Sequence, residues 1–279
     1  MHVLMIAAAL TVAYWMRSQW TKTRGTWNEQ WQKALFFFLF PPLLILMTGI
    51  ALVCMGPQGK MGGLQTGCFG YVLALSVLAF VAISCIKLTL EGWQSIKSVR
   101  DCPRVNIAGR QVRILNTRAL FAGQIGFWQP ELVLTEGLLQ TLSANQLETV
   151  FAHEQGHFHY RDTFWFFWLG WVRFCTAWLP NTDALWQELL ILRELRADVY
   201  AAFRVDPLLL AESLLLVAST PPVSSEVFCA ALGSSPVDRL EQRIEALLGQ
   251  PQPIPQSNLK HWKSFLLALL PLLTVIFHT

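Results

Sequence analysis

The chain has 279 residues, of which 53% are hydrophobic and 14% charged, with 12 Trp and 18 Phe. A soluble domain carries about 25% charged residues, so this composition excludes a disordered or solvating chain and speaks against a plain cytosolic enzyme. The 21 Lys and Arg against 18 Asp and Glu leave a net charge of +3, too small a surplus to expect direct nucleic-acid binding.

The apolar residues are clustered rather than spread, which predicts a membrane protein with a modest water-facing domain and the lipid bilayer as a partner. Segment 3–16 is short for a span of about 20 residues. Basic residues follow it (Arg17, Lys22, Arg24) and none precedes it, which fits an uncleaved anchor better than a signal peptide. Segment 34–55 contains Pro41 and Pro42, which should kink it. Segments 69–86 and 265–277 complete the set of four. The loop 17–33 holds Arg17, Lys22, Arg24 and Lys33 against Glu29, whereas 56–68 holds only Lys60. Lys87, Lys97, Arg100, Arg104, Arg110, Arg113 and Arg118 follow the third segment. The excess of basic residues places the first loop and residues 87–263 in the cytoplasm, with a multi-pass chain in the cell membrane. The organisation expected is a membrane region with three transmembrane helices over 1–90, a cytoplasmic domain over 91–249, a Pro-rich linker over 250–263, and a last transmembrane helix over 264–279.

The six cysteines, Cys54, Cys68, Cys85, Cys102, Cys175 and Cys229, show no C-x-x-C spacing, so neither a thiolate zinc site nor a thioredoxin-like motif is expected. Cys54 and Cys68 flank a short loop and would bridge only in an oxidising compartment.

Residues 104–134 read as short strands. Runs 104–108 and 111–116 surround a turn at Gly109-Arg110, and 131–135 (ELVLT) follows Pro130 as an edge or buried strand. Helices take over beyond. Ser143 with Gln146 is a capping-box pattern, continued at helical spacing by Leu147, Val150, Phe151, Glu154 and Phe158. Further helices are expected over 184–203, 207–218 and 237–248.

The chemistry concentrates in His153-Glu154-Gln155-Gly156-His157. Residues four apart share a helix face, so both imidazoles reach one metal ion. Zinc favours such nitrogen ligands and in catalytic sites keeps one position open. The ion lowers the pKa of water, and Glu154 is placed to take the proton as general base. Glu194 and Asp198, in E-L-R-A-D, share one face of a second helix. Glu194 can be the third zinc ligand, and Asp198 can accept the second ring N–H of a liganding histidine. Alone, the pair would read as a solvated face salted by Arg193 and Arg196. His159 lies about 200° around the helix from the metal face and is expected at the surface; His2, His261 and His278 lie at membrane ends.

Segment 164–179 is apolar enough to span, yet a single crossing would separate His153 and His157 from Glu194. A zinc ion holds ligands at about 2 Å, so the segment must be a hairpin, an interfacial helix or a buried core helix. Arg173 and the aromatic content favour partial immersion at the membrane surface.

The order of 127–138 (FWQPELVLTEGL), 147–162 (LETVFAHEQGHFHYRD), W-L-P-N at 178–181 and E-L-R-A-D at 194–198 resembles metallopeptidase family 56, the BlaR/MecR-type membrane zinc peptidases, and is close to the family 48 HtpX-like peptidases. W-L-P-N favours the first. The resemblance covers roughly 100–245. It implies zinc ligands His153, His157 and Glu194, Glu154 as catalytic base, Asp162 as a structural anchor, and 130–135 as an edge strand on which an extended peptide docks. Arg243 is implied at a substrate or oxyanion position, the alternative being an exposed helix arginine; Ser235-Pro236 stands where family 48 members carry a histidine before proline, so no oxyanion histidine is carried over. The fold implied is mostly α: transmembrane helices plus a cytoplasmic α+β gluzincin-like zinc peptidase domain with a small sheet. No external penicillin-binding domain follows residue 279, so drug sensing is not expected.

The function expected is that of an integral membrane zinc-dependent endopeptidase acting on a protein or peptide substrate, with regulatory proteolysis as an analogy. The alternatives are an HtpX-like quality-control protease and a non-catalytic membrane signalling or scaffold protein that retains a zinc site.

Overall fold

Helix α1 (His2–Ser18) and helix α2 (Trp27–Met55) open the chain. The structure, a computed structural model, describes residues 2–22, 25–58, 60–61, 64–65, 68–218, 239–249 and 259–277. The expected features at Cys229, Ser235-Pro236, Val237 and most of the Pro-rich spacer lie outside the described residues. The chain forms two units, one of Met1–Lys87, Trp171–Leu189 and Pro255–Thr279, the other of Leu88–Gly170 and Leu190–Ile254.

In the first unit Thr26 caps α2 through a capping box: its Oγ1 accepts from Glu29 N, and its own N–H donates to Glu29 Oε2 at 3.1 Å. The helix runs on through Pro41 and Pro42. Pro42 has no N–H to give the Phe38 carbonyl four residues back. That carbonyl instead accepts from Arg17 Nη2 at 3.0 Å, and Arg17 Nη1 donates to Thr182 Oγ1 at 3.2 Å. Arg17 is fully buried. The Arg17 carbonyl, near the end of α1, accepts from Trp20 N at 3.3 Å and from Asn181 Nδ2 at 2.8 Å. Asn181 of the W-L-P-N run adopts a left-handed φ of 56°.

A two-residue ladder pairs β1 (Lys60–Met61) with β2 (Leu64–Gln65), and helix α3 (Cys68–Arg100) follows. Helices α2 and α3, 29 and 33 residues long, are long and apolar enough to cross a membrane. At 1.5 Å per residue they measure about 44 and 50 Å, beyond the roughly 30 Å of a hydrocarbon core. Ala51, Leu52, Met55 and Ala74 form this unit's core with Met5, Ile6, Leu272 and Val275.

The second unit holds a four-stranded sheet of β3 (Arg104–Ile107), β4 (Arg110–Leu115), β5 (Ala122–Ile125) and β6 (Glu131–Thr135), in the order β3-β4-β6-β5. Ala108 and Gly109 form the β3–β4 turn with φ of 50° and 78°. A two-residue hairpin turn with both φ positive matches the twist of the strands. The turn thus sits one residue earlier than the expected Gly109-Arg110, and Arg110 already pairs with Ile107. Strand β6 runs parallel to β4 and antiparallel to β5. It is interior, which corrects the expectation of an edge at 130–135. Strand β5 occupies that edge instead, because the 116–130 connection doubles back and pairs on the outer side of β6.

Helices α4 (Glu136–Thr141) and α5 (Ala144–His159) cover one sheet face. Val112, Ile114, Leu134, Leu138, Leu142 and Phe151 make the core between them. Helix α6 (Asp162–Cys175) is followed by α7 (Thr182–Ala202), α8 (Pro207–Ala218) and α9 (Leu240–Leu248). The 164–179 segment therefore falls on one helix, the 14-residue α6 that starts at Asp162, and the turn after it; α6 is about 21 Å long, too short to cross, and is not a hairpin of two helices. It buries Phe166, Leu169 and Gly170 while Trp165 and Phe174 remain exposed. The last described stretch is 3-10 helical over Leu259–Leu269 and Thr274–Phe277, around the short helix α10 (Leu270–Leu273) that carries Pro271. Cys54, Cys68, Cys85, Cys102 and Cys175 carry free thiols, so no Cys54–Cys68 bridge is present.

Candidate active site

Helix α5 starts where the capping box predicts. Ser143 N–H donates to Gln146 Oε1 at 3.0 Å, and Gln146 N–H donates back to Ser143 Oγ at 3.3 Å. One turn of spacing brings His153 and His157 together, with their Nε2 atoms 3.1 Å apart. Helix α7 passes close alongside, because Gly156 presents no side chain to it. A Cβ there would stand 3.1 Å from Ala197 Cα and 3.2 Å from Ala197 O. This approach delivers Glu194, whose Oε2 lies 3.4 Å from His153 Nε2 and 3.7 Å from His157 Nε2.

One ligand atom from each of these three residues lies within 4.8 Å of the others. Donors about 2.05 Å from a tetrahedral zinc ion are separated by about 3.3 Å, close to the observed spacings. Two imidazoles and one carboxylate are also the donor set of catalytic zinc sites with an open position. The residues present fit that ion.

Each imidazole turns its other nitrogen to a buried carboxylate. His157 Nδ1 meets Asp162 Oδ2 at 2.7 Å. His153 Nδ1 lies 2.8 Å from Asp198 Oδ1, by an oblique approach. Arginines hold both carboxylates. Arg243 grips Asp198 with Nε at 2.7 Å and Nη2 at 2.8 Å, and Arg196 donates to Asp162 Oδ1. Arg193 pairs with Glu194 at 2.7 Å. Such outer contacts fix ring tautomer and orientation. The second reading of the E-L-R-A-D face, solvated and salted, does not hold: Glu194 and Asp198 are buried.

The electrostatics favour a cation. Burial is the largest influence on His157 and pulls its pKa down, but the Glu194 charge and the Asp162 hydrogen bond outweigh it and push it up to about 10. His153 is likewise raised: burial lowers it, and contact with Asp198 and Glu194 prevails. Burial would raise the Glu194 carboxyl, yet Arg193 and His157 hold it well below the usual range. Asp198 is lowered too, with Arg243 overcoming the effect of burial. With neutral imidazoles, four carboxylates (Glu154, Asp162, Glu194, Asp198) face three arginines (Arg193, Arg196, Arg243), a balance of one negative charge.

Glu154 is buried, and its Oε2 has no hydrogen-bond partner among the described residues. Such an orphaned carboxylate oxygen costs stability unless something in the working site uses it. Arg243 is buried rather than exposed, with Nη1 3.5 Å from Glu194 Oε2. His159 stacks on Tyr200 with ring centroids 5.1 Å apart, outside the three-residue ligand group as expected.

Sequence reasoning missed Arg193 and Arg196 as parts of the site. Glu194 follows Arg193 directly on α7, but Asp162 and the Phe166 and Tyr160 rings, the rings lying beneath Arg193 and Arg196 at 4.7 and 4.1 Å, are brought to them only by helix packing. It also missed Gln124 of β5, whose Nε2 donates to the Glu154 carbonyl at 3.4 Å.

Residues 101–209 match peptidase family M48. A Protease HtpX homolog from Campylobacter hominis is 30% identical over 132 residues, which is 42% of this chain and 47% of that protein. The chain thus matches about half the length of this curated relative. No solved structure matches. Both matches support a membrane metallopeptidase family and fall on family 48; neither supports the family 56 assignment that W-L-P-N favoured.

Proposed function

We propose that the protein is an integral membrane zinc-dependent endopeptidase of the HtpX-like kind. The observation that carries this is the meeting of His153, His157 and Glu194 beside a buried Glu154 oxygen that has no hydrogen-bond partner among the described residues. Bound zinc would supply Lewis acidity toward the scissile carbonyl and acidify water. Glu154 Oε2 takes the proton from the attacking water and passes it to the leaving amine. Asp162 and Asp198 keep Nε2 of each histidine turned inward. Arg243 holds Asp198, and its remaining Nη1 N–H groups are assigned to steady the oxyanion.

The open edge of β5 is the assigned docking line for an extended peptide, taking the place given to 130–135 in the sequence reading. Helices α2 and α3 anchor the chain in the bilayer, with segments 3–16 and 265–277 as further spans and residues 91–249 as the cytoplasmic domain. The charge asymmetry of the loops supports that orientation, and α6 with its exposed aromatic residues fits the membrane surface. The family 48 matches favour quality-control proteolysis over cleavage of a regulator. An idle zinc-holding scaffold has no use for the orphaned carboxylate.

The test is the full chain purified in detergent, assayed for casein cleavage and for zinc by atomic absorption. Glu154→Gln is expected to retain zinc and to lose about 10²–10⁴-fold in rate, the range of a general base. Unchanged proteolysis in that variant, or active wild-type protein without zinc, would overturn the proposal.

A further inference from the structure

Strand β5 returns to β6 through a hairpin loop over residues 126–130. The loop closes tightly. Gly126 has a φ of 135°, and a Cβ there would stand 3.0 Å from the Gln129 carbonyl oxygen and from Pro130 Cα. Only glycine takes that backbone conformation readily. Turns of this kind ordinarily carry small or polar residues, yet this tip carries Phe127 and Trp128. Trp128 is 76% exposed, so the fold itself gains little from burying it.

Phe127 pins the tip to α6. Its ring centroid lies 4.9 Å from that of Phe164 and 5.1 Å from that of Phe167, and Trp128 meets Phe164 at 5.3 Å. Trp165, beside Phe164 at 5.2 Å, and Phe158 of α5 are exposed as well. A cavity of about 360 Å³ lies among these rings, walled by Phe127, Trp128, Phe158, Phe164 and Tyr200 with Arg161 at its rim. Arg161 is exposed, and among the described residues no carboxylate lines the cavity.

A soluble surface rarely leaves so continuous an apolar patch bare. Tryptophan rings, apolar in body with one N–H, settle at the headgroup level of a bilayer. A lone guanidinium without a neighbouring carboxylate complements the phosphates found at that depth. Helix α6 carries the argument further. Near its end Trp171 Nε1 donates to the Val81 carbonyl at 3.1 Å, and the Phe174 ring lies 6.3 Å from that of Phe80. Both partners stand on α3 within the apolar segment 69–86. One helix thus bears the bare aromatic face and ends against a candidate span.

We propose that the 126–130 hairpin tip, together with the aromatic face of α6, seats in the headgroup–acyl boundary of a phospholipid bilayer, with Arg161 at the phosphates. The inference rests on the membrane reading above and adds to it a loop distant in sequence from every expected span. Because Ile125 is the last residue of β5, the tip holds one end of the assigned docking edge to the membrane surface.

The test uses the full-length protein in phosphatidylcholine nanodiscs made with plain lipid, with lipid brominated high on the acyl chain, or with lipid brominated near the chain end. Bromine quenches tryptophan only on close approach. Subtracting the emission of Trp128→Phe from that of the wild type isolates Trp128 among the 12 Trp, and the substitution at an exposed ring keeps the fold. The isolated emission is expected to fall about twofold or more with the high bromines and less with the deep ones, as for a side chain about 5–10 Å into the boundary. Emission that neither brominated lipid changes overturns the proposal, whether acrylamide quenches it, as for a loop in water, or spares it, as for a tip covered by a second copy of the chain. Should the chain prove soluble without detergent, the transmembrane reading fails by itself. The same quenching, read on mixing that soluble protein with brominated vesicles, then still decides the lipid contact.

Discussion

Arg17 in the first unit and Arg243 in the second are both buried, and they are held in different ways. Arg17 donates to neutral acceptors, the Phe38 carbonyl and the Thr182 hydroxyl. Its guanidinium also lies 5.2 Å over the Phe38 ring. Arg243 instead grips Asp198 with two nitrogens and reaches toward Glu194. The first arginine repairs a backbone vacancy that Pro42 creates, so its work is local and structural. The second balances the carboxylate that orients a candidate ligand, so its work reaches the candidate metal site. Buried charge thus serves architecture in one unit and the candidate site in the other.

Three outcomes would break or sharpen this contrast. The largest effect is expected from Arg243→Met, which leaves Asp198 buried without its cation. Removing one member of a buried pair costs about 3–5 kcal/mol, read by chemical denaturation in detergent. Zinc affinity should also fall about 10–100-fold, as for other partners that orient a ligand. An unchanged zinc affinity would reduce Arg243 to a packing role.

Next comes the pH dependence of metal binding. In the metal-free site His157 holds its proton up to about pH 10, because the Glu194 charge and the Asp162 hydrogen bond outweigh burial. A metal ion must displace that proton, and also that of His153, whose pKa is raised too, so affinity rises with pH and falls by at least about tenfold per unit as pH drops below this value. Competition with a chelator at two pH values measures the slope. The sign for stability is the reverse: protonated His157 stabilises the metal-free fold fully below about pH 6.5, its ordinary value, and this contribution is lost as pH rises through about 10. A flat affinity profile would mean that the carboxylates around His157 do not act on it.

The smallest effect belongs to Arg17→Met. Leaving the Phe38 carbonyl and Thr182 hydroxyl without their donor costs about 1–3 kcal/mol, again by denaturation, with zinc affinity unchanged. A loss of zinc affinity equal to that of Arg243→Met would erase the distinction between the two arginines.

Much of the candidate site was legible because it is local. His153 and His157 lie four residues apart on a helix whose cap, Ser143 with Gln146, is written in the sequence; Glu194 and Asp198 repeat that spacing on a second helix. Pairing between distant elements was not legible. Strand β6 looked like an edge because Pro130 precedes it, yet the returning connection pairs β5 outside it. Arg193 and Arg196 looked solvated because alternating charge on a helix usually is, and only the packing of α5, α6 and α7 covers most of their side chains. Arg243 could be named but not oriented, since its partner lies 45 residues away.

The sequence by itself determined the apolar helices, the zinc-type ligand spacing and the carboxylate next to it, since each depends on helical periodicity within a few residues. Tertiary structure decided which strand is the open edge, which carboxylate faces which imidazole, and where the arginines point. Those contacts join elements brought together only by burying shared apolar faces, and neither local spacing nor composition specifies which faces will meet.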